Sequence, residues 1–234
     1  MRCTRRLENL AYAAGRKYVA GADEVGRGAL FGPVVAAAVV LGPCCRIAGI
    51  NDSKRLSPQV RAALDEKIRG GAVAWSVAAV DAARIDVINI YQASRQAMRD
   101  AVLGLDPRPD LVLVDAMRLD LPWEMEQRAI IHGDARSISI AAASILAKVH
   151  RDRLMEDWDR VFPQYRLARN KGYATAAHLR SLDEFGVTPE HRKSYIPVAG
   201  RSLFPFPIPI EEQDELLPLF FEGSAECRVL SAGG

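Results

Sequence analysis

The 234-residue sequence has few cysteines and no long uninterrupted hydrophobic run. No segment approaches the roughly 20 apolar residues that a membrane-spanning helix needs. A charged residue interrupts the apolar segment after the basic start, so we predict no signal peptide. The four cysteines, Cys3, Cys44, Cys45 and Cys227, are too few and too scattered for a disulfide framework or a paired-CxxC zinc site. We therefore predict a cytoplasmic protein with free thiols and no membrane partner.

The formal net charge of +2 hides a difference between two parts of the chain. Residues 1–202 carry 30 basic and 23 acidic residues, whereas residues 203–234 carry one basic and six acidic residues. Apolar residues make up 49% of the chain and charged residues 26%, which is ordinary for a folded protein. A basic body permits a polyanionic partner such as nucleic acid but does not prove one.

Residue periodicity predicts alternating strands and helices over the first 160 residues. Nearly continuous apolar runs predict strands at 17–22, 34–41, 72–80, 110–115 and 127–132, of which the first two form a hairpin. Caps and helical spacing predict helices at 2–14, 58–69, 88–103 and 137–158. This order of elements predicts an α/β fold, in which helices cover a mixed sheet.

The length allows one large domain, or one domain with an appendage, and we favour the second arrangement. We place the α/β domain at residues 1–160. Residues 161–202 consist of short polar and aromatic pieces with a helical stretch at 178–185, which predicts a small helical extension packed on the sheet domain. Residues 203–234 are acidic and rich in proline, so we predict a flexible tail with at most one short helix.

Four acidic residues, Asp23, Glu24, Asp115 and Asp134, stand at predicted strand ends or in the turns that follow them. Neighbouring residues of a regular strand point to opposite faces, so Asp23 and Glu24 can share a site only where the strand stops. Gly26-Arg-Gly28 supplies that stop. Clustered carboxylates repel one another unless cations neutralise them, and hard oxygen ligands suit Mg²⁺ or Mn²⁺ better than zinc. Because two such ions about 4 Å apart support phosphodiester hydrolysis, the pattern predicts a nuclease.

Two alternatives compete with this metal site. An acid at a strand end is more often a helix cap or a solvated turn residue, which applies most to Asp115 or Asp134 taken alone. The glycines at positions 26, 28 and 32 invite comparison with a dinucleotide-binding loop. Their spacing is G-x-G-x-x-x-G, and the segment that follows leads into a strand instead of a helix, so we reject that alternative.

Short motifs, each weak by itself, follow one another along residues 16–200. They are Gly21-Ala-Asp-Glu-Val-Gly-Arg-Gly28 with Gly32-Pro-Val34, Asp52-Ser-Lys54, Val114-Asp115, Gly133-Asp134, Ile140–Lys148 with Arg151-Asp152, Lys171-Gly-Tyr173 with His178, and His191-Arg192 with Ser194. In this order they resemble the type 2 bacterial ribonucleases H, specifically ribonuclease HII. The Gly-Arg-Gly motif favours this family over the related ribonuclease HIII.

The resemblance implies a ribonuclease H-like fold, with a mixed five-stranded sheet flanked by helices and a small C-terminal helical extension. It also implies an endoribonuclease that removes ribonucleotides from DNA. Such an enzyme cuts on the 5′ side of ribonucleotides in RNA/DNA hybrids and at RNA–DNA junctions in duplex DNA, leaving a 3′-hydroxyl and a 5′-phosphate. Asp23, Glu24, Asp115 and Asp134 match the family's catalytic carboxylates, which bind two Mg²⁺ or Mn²⁺ ions.

Other residues match the substrate-binding positions of the family. Gly26, Arg27 and Gly28 match the motif that senses the 2′-hydroxyl at an RNA–DNA junction through close backbone contact. Tyr173 matches the tyrosine that stacks on the sugar of the following deoxynucleotide. This agrees with the chemistry of the substrate, because the 2′-hydroxyl is the group that separates RNA from DNA.

Three lysines match positions of the family pattern and are candidates for phosphate contact: Lys54, Lys148 and Lys171. A lysine is nevertheless more often a solvated charge. Asp152 lies one helical turn after Lys148, so we predict an ion pair between them and leave Asp152 out of the catalytic set.

The histidines and tryptophans have simpler expected roles. We expect His178 and His191 to be structural or surface residues. We expect Trp75, Trp123 and Trp158 to be packing residues instead of platforms for base stacking.

The acidic tail contains Leu216-Leu-Pro-Leu-Phe-Phe221, which resembles the short Leu-x-Leu-Phe peptides that bind the bacterial sliding clamp. The commoner partner of such apolar residues is the protein's own surface. The expected partners of this monomer are RNA/DNA hybrids, DNA duplexes that contain ribonucleotides and, through the tail, the clamp. The alternative function is a non-catalytic nucleic-acid-binding or clamp-tethered protein, which would bind duplexes without cleaving them.

Overall fold

A mixed sheet forms the centre of the computed structural model, which describes residues 3–122, 125–201 and 226–227. Its five main strands are β1 (Val19–Val25), β2 (Val34–Val40), β3 (Ala74–Val80), β4 (Leu111–Asp115) and β5 (Glu126–Ile130). A two-residue strand, β6 (Glu226–Cys227), pairs with β3, so the strand order is β5-β4-β1-β2-β3-β6. β1, β4 and β5 are parallel, whereas β2 is antiparallel to β1 and β3. The predicted mixed five-stranded sheet and its first hairpin are confirmed.

Helices cover both faces of the sheet. They are α1 (Arg6–Ala13), α2 (Pro58–Gly71), α3 (Ala82–Leu103), α4 (Ile138–Val161), α5 (Leu167–Asn170) and α6 (Ala176–Phe185). The side chains of β2 alternate between two apolar clusters, since successive residues of a strand point to opposite faces. Ala36 and Ala38 pack with α3 on one face, whereas Val35 and Ala37 pack with α2 and α4 on the other.

Helix α4 lies unusually close to β1 where the strand carries Gly21. A Cβ atom added to Gly21 would lie 2.1 Å from the carbonyl carbon of Ser139 and 2.2 Å from the nitrogen of Ile140. Small side chains continue this contact along the helix, because Ala141, Ala142, Ala143 and Ala147 are all buried. The helix therefore rests on the strand that carries Asp23 and Glu24.

The residues after α4 pack around the loop that follows β1. Leu30 and Phe31 of this loop share an apolar cluster with Met155 of α4 and with residues of the C-terminal segment, among them Phe162, Tyr165, Leu167, Leu182, Val187 and Val198. Segment 162–198 is therefore tied to the loop that contains the Gly-Arg-Gly motif. The boundaries 1–160 and 161–202 remain predictions.

Most element boundaries differ from the sequence prediction by a few residues, and two of these differences are informative. β1 continues to Val25, because Asp23 and Glu24 still pair with Ala37 and Ala36 of β2. α3 begins six residues earlier than predicted, at Ala82, after an N-terminal cap by Asp81. Asn89, with a φ of 66°, interrupts α3, and the predicted start at residue 88 falls at this interruption.

The expected packing roles hold where the chain is described. Trp75 is buried, and Trp158 stacks on Phe162. Cys3, Cys44 and Cys45 are free thiols. Trp123 and the tail, apart from the strand pairing of residues 226–227, lie outside the described residues. Within the described ranges, no helix has the length and apolar character required to span a bilayer.

Gly21→Ala should destabilise the protein strongly, because the new Cβ would collide with the backbone of α4 and not with a mobile side chain. We expect a loss of about 3 kcal/mol or more in the free energy of unfolding, measured by urea denaturation. Gly70→Ala is the matched control, since an added Cβ meets nothing within 4 Å there. Equal stability of the two variants would contradict the close contact between β1 and α4.

Candidate active site

The four predicted carboxylates meet at one end of the sheet. β1 and β4 are parallel neighbours with Ala22 opposite Val114, so Asp23 and Asp115 follow at the same level on adjacent strands. Asp134 lies in a 3-10 turn, Gly133–Ala135, that follows β5. The N–H of Gly133 donates to Oδ1 of Asp115 at 2.7 Å, which ties this turn to the end of β4. The fold therefore brings together side chains that are more than 100 residues apart in the sequence.

Burial and the charge of neighbouring carboxylates oppose the ionisation of Asp23, Glu24 and Asp115. Asp23 is 6% exposed and Asp134 is 7% exposed. Burial, together with the charge of Glu24, raises the pKa of Asp23 well above its ordinary value. Burial also raises the pKa of Glu24, opposed by Arg27 and assisted by Asp115, and burial is the main cause of a raised pKa at Asp115. The cluster therefore favours nearby positive charge.

Two basic side chains provide part of that charge. Nη1 of Arg27 lies 3.2 Å from Oε1 of Glu24, and Nζ of Lys54 lies 3.5 Å from Oδ2 of Asp134. Burial lowers the pKa of Lys54, but the charges of Asp134 and Asp23 outweigh it, so the net shift is upward. Each cation thus neutralises one carboxylate at the rim of the cluster.

The donor set fits a hard divalent cation. Oε2 of Glu24 is buried without a hydrogen-bond partner, and carboxylate oxygens are the ligands that Mg²⁺ and Mn²⁺ prefer. In the described part of the chain, however, no three acidic, histidine or cysteine side chains form a group that could already hold a metal ion. Arg27 and Lys54 occupy one oxygen each of Glu24 and Asp134, so a divalent cation would compete with both ion pairs.

Helix α4 positions Asp23 through a residue that sequence reasoning did not single out. The hydroxyl of Ser144 hydrogen-bonds to Asp23 and lies 2.9 Å from the hydroxyl of Ser53. Arg61 of α2 donates from Nη1 to the carbonyl oxygens of Ser53 and Leu56. These bonds fix the loop that carries Lys54. The only sequence signal for Ser144 was its place within the Ile140–Lys148 motif.

The Gly-Arg-Gly motif forms a turn directly after β1, with Tyr173 beside it. Gly26 has a φ of 91°, a backbone conformation that favours glycine. A Cβ added there would also lie only 2.2 Å from Nε of Arg151, so both the backbone and the available space exclude a side chain. A Cβ added at Gly28 would lie 3.9 Å from Cε1 of Tyr173. A β-bridge between Ala29 and Tyr173 fixes this arrangement. The predicted substrate-binding residues at 26–28 and 173 are therefore neighbours.

The three candidate lysines differ in their surroundings. Lys148 forms the predicted ion pair with Asp152, and Lys171 contacts Glu156 at 2.7 Å. Of the three, only Lys54 contacts a site carboxylate, and its side chain is 83% exposed. Lys54 is thus the lysine best placed to reach a ligand at the carboxylates.

His178 and His191 are structural residues that lie fully inside the protein. Nδ1 of His178 donates to the carbonyl oxygen of Tyr173, and Nδ1 of His191 accepts the N–H of Thr188. The two Nε2 atoms lie 3.2 Å apart, so Nε2 of His191 donates and Nε2 of His178 accepts, and both rings are neutral. Burial lowers the pKa of His178. Burial and the neighbouring His178 lower the pKa of His191 to about 3. The pair supports the backbone of Tyr173.

Comparisons with known proteins cover the part of the chain that contains the candidate site. A family model described as Ribonuclease HII matches residues 20–198, a range that contains the four carboxylates, the glycine turn and Tyr173. A curated ribonuclease HII from Koribacter versatilis is 57% identical over 198 residues, which is 85% of this chain and 77% of that protein.

Two solved structures share the fold at 26% identity, each covering 77% of this chain and 95% of the other. The ribonuclease H2 from Pyrococcus horikoshii OT3 aligns with a TM-score of 0.70. A chain in the structure of the PCNA:RNase HII complex from Archaeoglobus fulgidus aligns with a TM-score of 0.63.

The histidine pair predicts a pH dependence of stability. The folded pKa of His191 lies below its ordinary value of 6.5, so the unfolded chain binds the extra proton and stability falls as the pH drops from about 6.5 towards 3. In a ¹⁵N NMR titration, the His191 ring should remain neutral at pH 5 while the protein stays folded. Protonation of His191 near pH 6.5 in the folded protein would contradict the hydrogen-bonded pair.

Proposed function

The chain belongs to the ribonuclease HII family and is a ribonuclease H hydrolase, and from that premise we propose that it acts on ribonucleotides within duplex DNA. As a monomer, it would cleave the phosphodiester on the 5′ side of a ribonucleotide, in RNA/DNA hybrids and at RNA–DNA junctions. The products would carry a 3′-hydroxyl and a 5′-phosphate. One observation carries this proposal: carboxylates at the ends of β1 and β4, buried at Asp23 and half-buried at Glu24 and Asp115, lie next to a glycine turn with an aromatic side chain at its edge.

Asp23, Glu24, Asp115 and Asp134 would hold the Mg²⁺ or Mn²⁺ ions. When bound, such ions lower the pKa of water and offset the negative charge that develops on the phosphodiester. The protein's own contribution is to keep the four carboxylates fixed and partly desolvated, with Ser144 orienting Asp23 and the Gly133 N–H orienting Asp115. Little reorganisation is then needed when substrate arrives.

The glycine turn would select the position of cleavage. Gly26 and Gly28 allow the backbone to approach the sugar closely, and the amides of this turn are polar groups that can recognise a 2′-hydroxyl. The ring of Tyr173 offers an apolar face to the next sugar, which suits deoxyribose better than ribose. Arg27 and Lys54, now paired with Glu24 and Asp134, would be available to phosphates when metal ions take their place. Lys148 and Lys171 would contact phosphates farther along the duplex.

Asp23→Asn should abolish cleavage of a duplex that contains one ribonucleotide, because it removes a ligand charge at nearly constant shape. Mutation of residues that only support a metal's direct ligands typically lowers activity about 10- to 100-fold. Because Asp23 would be a direct ligand, we expect the cleavage rate to fall about 100-fold or more. The unfolding temperature should stay equal or rise, since burial and neighbouring charge already disfavour ionised Asp23. Product formation with and without Mg²⁺, resolved on a denaturing gel, measures the effect.

Asp157→Asn is the matched control, because it makes the same change on an exposed part of α4. Full activity of Asp23→Asn would refute the assigned site. Duplex binding by the wild type without any metal-dependent product would instead favour the non-catalytic alternative.

A sliding clamp is a second proposed partner, through the tail segment Leu216–Phe221. The related Archaeoglobus protein forms a complex with PCNA, and the tail of this chain places leucine and phenylalanine among acidic residues. The double variant Leu219→Ala/Phe220→Ala should lose clamp binding in a surface plasmon resonance assay, because it removes the apolar anchors and keeps the charge. Glu211→Gln/Glu212→Gln is the control that changes charge alone. Unchanged binding by the apolar variant would exclude this mode of docking.

A further inference from the structure

Two arginines lie fully buried beneath the loop that follows β1. Arg151 and Arg192 are both 0% exposed, and neither forms an ion pair with a carboxylate among the described residues. Burial accordingly lowers the pKa of Arg151 to about 10 and also lowers that of Arg192. Burying a charge without a counterion is costly, so these side chains need strong alternative partners.

Their partners are backbone carbonyl groups of the loop. Nε of Arg151 donates to the oxygen of Pro33 at 3.2 Å, and its Nη2 donates to Phe31 at 3.1 Å. Nε of Arg192 donates to the oxygen of Gly32 at 2.9 Å, and its Nη1 donates to that of Arg27 at 3.0 Å. The two guanidinium groups thus donate to four carbonyl oxygens of the loop, those of Arg27, Phe31, Gly32 and Pro33.

The oxygen of Arg27 receives a second donor. The hydroxyl of Tyr195 donates a hydrogen bond to the oxygen of Arg27 and accepts one from Nη1 of Arg192 at 3.1 Å. Arg27 is the central residue of the Gly-Arg-Gly turn, and Arg192 lies 165 residues away in the sequence. The C-terminal extension therefore determines the orientation of the peptide bond between Arg27 and Gly28.

The Arg27–Gly28 peptide bond connects the carbonyl oxygen held by Arg192 and Tyr195 to the N–H of Gly28. A trans peptide is planar, with its N–H directed opposite to its C=O. Since Arg192 and Tyr195 hold the oxygen of Arg27, the N–H of Gly28 must point away from them. No hydrogen bond to another described residue uses this N–H, and Tyr173 lies beside Gly28.

We propose that Arg192 and Tyr195 are positioning residues for ribonucleotide selection, which act by fixing the carbonyl group of Arg27 and so aiming the N–H of Gly28 at the substrate sugar. The inference rests on the proposed function of the glycine turn and adds the residues that set its geometry. Neither side chain needs to touch the substrate.

Tyr195→Phe tests the inference with little risk to folding, since the ring remains and only the hydroxyl is lost. Two quantities separate positioning from general damage. One is kcat/KM for a duplex with a single ribonucleotide; the other is the inhibition constant of an all-DNA duplex of the same sequence, which binds without a 2′-hydroxyl. We expect kcat/KM to fall about three- to tenfold, the effect of one hydrogen bond, while the inhibition constant stays unchanged.

Tyr165→Phe is the matched control. It removes a hydroxyl that donates to the carbonyl oxygen of Gly186, within the same extension, and it leaves the bonds to Arg27 intact. Both kinetic quantities should match the wild type. Arg192→Lys keeps the positive charge but cannot reproduce the fork of donors, so kcat/KM should fall at least as far as in Tyr195→Phe.

The outcomes distinguish the inference from the function on which it rests. A wild type that does not cleave the single-ribonucleotide duplex overturns both. A normal wild type with unchanged kcat/KM in Tyr195→Phe overturns the positioning role alone. Parallel loss of cleavage and of all-DNA binding in Tyr195→Phe also overturns it, because general damage to the surface would then explain the defect.

Discussion

Like charges held together away from water impose the constraint on which this structure depends. Asp23, Glu24 and Asp115 all have raised pKa values, mainly because of burial and further because of neighbouring carboxylates, which for Asp115 means Asp134. A fold that maintains such a cluster must offset its repulsion with rigid packing and with cations. The alanine-rich contact between α4 and β1 provides the packing, and Arg27 and Lys54 provide positive charge at the rim. The same repulsion makes the cluster receptive to divalent cations.

A second charged cluster has the opposite sign and a different purpose. Arg151 and Arg192 carry buried positive charge, and they bond to backbone oxygens instead of carboxylates. Their N–H groups hold the loop between β1 and β2. The neutral His178–His191 pair holds Tyr173 through the hydrogen bond from His178 to its carbonyl oxygen. Ser144 and the N–H of Gly133 thus hold the carboxylates, whereas the arginines and the histidine pair hold the glycine turn and Tyr173. The ion pair between Arg27 and Glu24 joins the two groups.

Local sequence signals predicted the main elements, because strand and helix periodicity is a local property. Ser57 before Pro58 predicted the start of α2, and the apolar run from Val34 predicted a strand buried on both faces. The true end of β1 was missed, since it depends on pairing with β2 and not on the residues of β1 themselves. The ordered motifs identified the four carboxylates and the residues of the glycine turn, which the fold places at one end of the sheet. Ser144 and Tyr195 gave no comparable signal, because their partners lie far away in the sequence.

Cation binding by the four carboxylates is tested most directly with Mn²⁺, whose free concentration can be followed by electron paramagnetic resonance. The titration uses the whole protein, alone and with a duplex containing one ribonucleotide. The wild type should remove Mn²⁺ from solution, and Asp115→Asn should weaken its affinity about tenfold or more, because a charged ligand at the end of β4 is lost. Equal Mn²⁺ affinity in the two proteins, or no binding by the wild type in the presence of duplex, would contradict a metal site at the ends of β1 and β4.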